Sequence, residues 1–146
     1  METDLKANDL AKMSQVQLID EIISIMEEKK LSEESITAAK PYFTELARRN
    51  NISDDAAMLF AAFFNYFADS RTYIKDIAEF FSCNQVKILT KWSAVEELVS
   101  RRFLLQYKKE NGELYYAVPN EVVAAMREDK LYSPTADANL TIDQWL

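Results

Sequence analysis

The sequence predicts a mainly α domain carrying one β-hairpin. Apolar residues recur at three- and four-residue steps over most of the chain, the signature of helices with one buried face. The single glycine, Gly112, follows Asn111 between two β-prone runs, the strongest short hairpin signal. The 146 residues are 49% apolar and 28% charged, which suits one domain with a packed core.

The elements follow in order. Val16, Ile19, Ile22, Ile23 and Met26 make Ser14 to Lys30 an amphipathic helix. Ser32 caps a short second helix, with Glu33 and Glu34 in its positive first turn. Proline breaks a helix interior but suits a first turn, so a new helix starts at Pro41 and runs to about Arg49. Asn50-Asn51 ends it. Ser53 caps the next helix, favoured by Asp54 and Asp55, which extends to about Ala68.

That helix holds the most apolar stretch, with Met58, Leu59, Phe60, Phe63, Phe64 and Phe67. It is shorter than the roughly 18 apolar residues of a spanning helix, and Asn65 and Asp69 interrupt it, so it reads as core rather than membrane. Met1 to Asp9 is polar and acidic, without signal-peptide order. With the lone Cys83, this gives the expectation of a cytoplasmic protein.

After Asp69-Ser70-Arg71 comes a short helix, Tyr73 to Phe81, burying Ile74, Ile77, Ala78 and Phe81. A tight break at Ser82-Cys83 follows, and Asn84 caps a longer helix from Gln85 to about Arg101. Two β-prone runs, Phe103 to Lys108 and Glu113 to Val118, flank Lys109-Glu110-Asn111-Gly112. Pro119-Asn120 opens a last helix through Met126, and the chain from Glu128 lacks helical or strand period. The implied organisation is an N-terminal helical extension (1–31), a core domain (32–130), and a C-terminal linker or start of a following module (131–146). Within that last segment Ser133-Pro134-Thr135 has linker composition, and Trp145-Leu146 reads as the beginning of a further element.

Short helix, tight turn, longer helix and hairpin is the order of a winged helix-turn-helix, here with extra N-terminal helices. In that arrangement the second helix presents its first residues to the DNA major groove. At 100° per residue, Ile88, Leu89, Trp92, Val95, Leu98 and Val99 share one face of the helix. Lys87, Thr90, Ala94, Glu97 and Arg101 lie opposite. Candidate contacts to double-stranded DNA are therefore Gln85, Lys87, Thr90, Lys91 and Ala94 on this helix. Lys108, Lys109 and Asn111 join them at the hairpin tip, and Arg71, Thr72 and Lys75 beside it.

Charge supports this region locally. The chain is −7 overall, but residues 71–109 carry 8 basic and 4 acidic groups, a net of +4 between flanks of −6 and −5. The competing reading is a protein-docking or self-association module, because winged helices also serve without nucleic acid and the N-terminal apolar stripe must be covered.

Enzymatic chemistry finds little footing. The absence of histidine excludes His-based triads and His-ligated metals, and one glycine excludes P-loops and Rossmann fingerprints. Cys83 has no histidine or other base beside it, and the adjacent acidic pairs sit mostly at helix ends, where they favour the dipole. The expectation is a non-enzymatic chain with no metal and no cofactor.

Residues Lys40 to Val123 resemble a bacterial family of ATP-binding proteins of the AAA type, whose N-terminal portion is a winged helix. The likeness rests on Pro41-Tyr42-Phe43 with Leu46, Ile52-Ser53-Asp54-Asp55-Ala56, and Ile77-Ala78-Glu79-Phe80-Phe81-Ser82-Cys83-Asn84. It continues through Lys87-Ile88-Leu89, Leu98 and Tyr115-Tyr116-Ala117-Val118-Pro119, and Leu140-Thr141-Ile142-Asp143 looks like the start of a connector. The resemblance implies a regulatory or targeting module whose ATPase lies beyond Leu146. One departure is Arg102, where winged helices usually have glycine after the recognition helix.

Overall fold

A computed structural model describes residues 7–29 and 32–132. Its elements are α1 (Ala7–Lys12), α2 (Gln15–Lys29), α3 (Glu33–Asn50), α4 (Asp54–Phe64), α5 (Ile74–Phe81), α6 (Gln85–Leu89), α7 (Trp92–Ser100), β1 (Leu105–Lys108), β2 (Leu114–Ala117) and α8 (Asn120–Arg127). The fold is mainly helical with one antiparallel hairpin near the C-terminal end of the described chain.

The core forms around α4, in which every residue from Ala56 to Phe64 is buried. A helix apolar all round must be enclosed, and α2, α3, α5 and α7 all pack on it. Phe60 meets Phe103 edge-on, with ring centroids 5.5 Å apart, and Phe63 meets Tyr116 at the same distance. These two contacts tie the helical core to the hairpin. Helix α2 contributes Leu18, Ile19, Ile22 and Met26 to that same core. No helix among the described residues is long and apolar enough to cross a membrane.

Pro41 does not start a helix; it lies inside the single helix α3. Ser32 caps that helix as expected, its Oγ accepting from the Ser35 N–H while the Ser35 Oγ accepts from the Ser32 N–H. A proline inside a helix costs about 3 kcal/mol. The buried face runs without interruption through Ser35, Ala39, Phe43, Leu46, Ala47 and Asn50, and each large apolar side chain on it contributes about 2 kcal/mol. Pro41 and Thr37 are both exposed, so the carbonyl that loses its partner lies on the solvent side. Helix α4 is likewise shorter than expected, ending at Phe64 and continuing as turns through Ala68.

The long helix expected from Gln85 to Arg101 is two helices, broken at Thr90-Lys91. The Thr90 Oγ1 donates to the Lys87 carbonyl at 2.6 Å, and Lys91 leaves helical geometry with φ −114° and ψ 29°. On a straight helix Ala94 falls outside the Ile88 face. The break re-aims α7 so that Ala94, Val95 and Leu98 are buried together. Past α7, Arg102 takes a left-handed φ of 66°, and the Phe103 N–H reaches back to the Leu98 carbonyl at 2.8 Å. That is the backbone closure for which glycine is the usual residue.

In the hairpin, Leu105 pairs with Ala117, Tyr107 with Tyr115, and Lys108 with Leu114. The expected two-residue Asn111-Gly112 turn is instead a three-residue turn over 110–112. The Lys109 N–H donates to the Glu113 carbonyl, the Gly112 N–H to the Lys109 carbonyl, and Gly112 takes the positive φ of 93° without Asn111. This geometry places one left-handed residue after a type I turn, so one glycine suffices. Thr72 adds a backbone bridge to Tyr116 on the far side of β2, with hydrogen bonds of 2.8 and 2.9 Å.

The chain after α8 returns to the start of α2. Asp129 Oδ1 accepts from the Gln15 N–H at 2.9 Å, and Gln15 Nε2 donates to the Lys130 carbonyl at 2.7 Å. Tyr132 packs edge-on against Phe103 at 5.2 Å, so the packed chain reaches beyond Lys130. The expectations for Ser133 to Leu146, including Trp145, and for Met1 to Lys6 lie outside the described residues.

Candidate nucleic-acid interface

Strand alternation divides the wing, meaning the β1–β2 hairpin with residues 71–73 bridged to it, into two faces. Thr72 and Tyr116 are 2% and 0% exposed and form the inner face, with the Tyr116 hydroxyl donating to Gln106 Oε1 at 2.9 Å. Burial pushes the Tyr116 phenol up to about 12. The outer face carries Arg71, Tyr73, Tyr107 and Tyr115. The Arg71 guanidinium lies 4.9 Å from the Tyr115 ring centroid, and Tyr107 stacks on Tyr115 at 5.2 Å with 22° between ring planes. Tyr73 packs against Tyr115 at 5.9 Å, and the Lys109 ammonium stands 5.7 Å from the Tyr73 ring.

A cleft of about 510 Å³ lies at this side of the hairpin tip, lined by Arg71, Lys108, Lys109, Glu110, Asn111 and Tyr115. The Asn111 Oδ1 accepts from the Glu113 N–H and fixes the tip. Lys109 is paired with Glu113 at 3.3 Å, which leaves Arg71 and Lys108 as cleft cations without an ion pair among the described residues. A second groove of about 320 Å³ separates the wing from α5 and α6. Lys75 and Gln85 line it together with Leu89, Trp92 and Glu113.

The predicted residues therefore divide. Arg71, Lys108, Lys109 and Asn111 come together in the wing cleft, and Lys75 and Gln85 in the adjoining groove. Lys87 and Thr90 are exposed on or beside α6. Thr72 is corrected: its backbone is bonded to Tyr116 and its side chain is buried. Ala94 is corrected too, being 3% exposed because α7 turns it into the core. Lys91 points to the start of α4, where its ammonium lies 3.5 Å from Asp55. Glu97 is also occupied there, accepting from the Ser53 N–H and hydroxyl at 2.8 and 2.7 Å. Burial pushes the Cys83 thiol up, and the nearby Lys87 charge only partly offsets this.

Sequence reasoning missed Tyr73, Tyr107 and Tyr115. The signal that finds them is the hairpin register, which sets two tyrosines opposite each other on one face. No family model, curated protein or solved structure matches this chain.

Proposed function

We propose that this domain binds DNA, with the wing as its principal contact and the α6 groove beside it. The observation that carries the reading is the gathering of Arg71, Lys108 and Lys109 on one cleft, next to the stack of the exposed Tyr107 on the half-buried Tyr115. Cations meet phosphate oxygens without regard to sequence, and planar side chains meet bases or sugars. The overall charge of −7 limits non-specific affinity, so the contact depends on these few groups. The resemblance of residues 40–123 to the AAA-type N-terminal portion adds a regulatory or targeting role within a longer protein. Fluorescence anisotropy with a random-sequence duplex at low salt tests the reading. The wild type binds, and the pair Arg71→Glu with Lys108→Glu reduces affinity at least about tenfold. No binding by the wild type contradicts it.

One observation favours a second reading, a protein-docking module. Val86 and Leu89 on α6 are 66% and 52% exposed, where a base-reading helix carries polar or basic side chains. A Val86→Ser variant, at an exposed residue that does not line the groove, separates the two. It leaves wing-dominated DNA affinity nearly intact and abolishes an apolar protein contact.

A further inference from the structure

We propose that the outer face of the wing is a stacking platform for an unpaired base, so that the DNA taken here is a duplex carrying a single-stranded end. This rests on DNA binding by the wing and adds the form of the DNA. Arg71, Tyr115 and Tyr107 lie side by side across the hairpin, because Thr72, next to Arg71, bridges β2 on one side and β1 pairs with it on the other. They form a continuous row: guanidinium against ring at 4.9 Å, then ring against ring at 5.2 Å. The row ends at Tyr107 on the edge strand, 43% exposed, with Tyr115 its one ring contact among the described residues.

A stack that stops at an open edge can be lengthened by one more flat group. Bases inside a duplex cover each other's faces and offer only edges to a protein, whereas an unpaired base offers its face. Lys108 follows Tyr107 in β1, and Arg71 and Lys109 line the cleft beside it, so phosphates flanking such a base meet cations. Stacking of this kind tolerates every base.

The test compares a labelled blunt duplex with the same duplex carrying a short thymidine overhang, by anisotropy at low salt. The wild type binds the overhang duplex about tenfold tighter than the blunt one. Tyr107→Ala abolishes that preference, and Tyr107→Phe, which keeps the ring, retains it. 2-Aminopurine placed in the overhang reports stacking in the wild type directly, its fluorescence being quenched on binding. Equal affinity for the two duplexes, or a preference that survives Tyr107→Ala, overturns the platform while leaving DNA binding by the wing in place. Failure of the wild type to bind either duplex overturns both.

Discussion

Tyr107 lies directly across the hairpin from Tyr115, the two rings stacked 5.2 Å apart. That pairing depends on the turn. A two-residue turn at Asn111-Gly112 pairs Tyr107 with Tyr116, whereas the three-residue turn pairs it with Tyr115. Because strand side chains alternate, a one-residue slip exchanges the two faces of β1. The turn thus keeps Tyr116 against Phe63 in the core and leaves the Tyr107–Tyr115 stack on the outer face.

Arg102 holds a left-handed φ of 66°, a conformation that costs a non-glycine residue about 1 kcal/mol. Arg102→Gly relieves it and raises the melting temperature by roughly 3 °C in a domain of this size. A thermal melt followed by circular dichroism checks this. A lowered melting temperature would mean that the arginine side chain contributes more than its backbone costs.

Tyr116 gives the fold an alkaline limit. Its phenol is raised by burial to about 12, against about 10 in an unfolded chain. Below pH 10 both states are protonated and the stability is fully present. As pH rises from 10 towards 12 the unfolded chain releases the proton first, and stability falls. Tyr116→Phe removes this part of the fall. Urea midpoints at pH 8 and 11 measure it, and the variant shows the smaller drop.

The start of α2 is held by the far end of the chain. Asp129→Ala leaves the Gln15 N–H without its acceptor and costs about 1 kcal/mol. Gln15→Ala keeps that backbone bond yet costs more, about 2 kcal/mol, because it strips the Lys130 carbonyl of its donor and Asn50 Nδ2 of one acceptor. Urea denaturation ranks the two variants. A Gln15→Ala midpoint equal to that of the wild type would show that the side-chain amide contributes nothing, and a loss smaller than that of Asp129→Ala would reverse the ranking.

Local signals carried most of the element order. Ser53 and Asn84 cap α4 and α6 through side-chain oxygens that accept from the Ala56 and Lys87 N–H groups. The three- and four-residue spacing of Ile19, Ile22 and Met26 marked the buried face of α2. Two elements escaped because tertiary packing overrode local preference. Pro41 is tolerated on the outside of a helix whose other face is buried at both ends, and the break at Thr90-Lys91 lets α7 bury Ala94, Val95 and Leu98 together. The site divides the same way. Its cations were legible from charge distribution, but its tyrosines follow from a register that a one-residue difference in turn length decides.

Phosphate contact by the wing makes duplex affinity depend on salt. About three phosphate contacts, from Arg71, Lys108 and Lys109, predict that the dissociation constant rises about 40-fold between about 50 and 200 mM salt. With Arg71→Glu and Lys108→Glu combined, the predicted slope of log affinity against log salt falls by about two contacts. A wild-type affinity that does not change with salt, or a slope that the double variant leaves intact, would contradict the account.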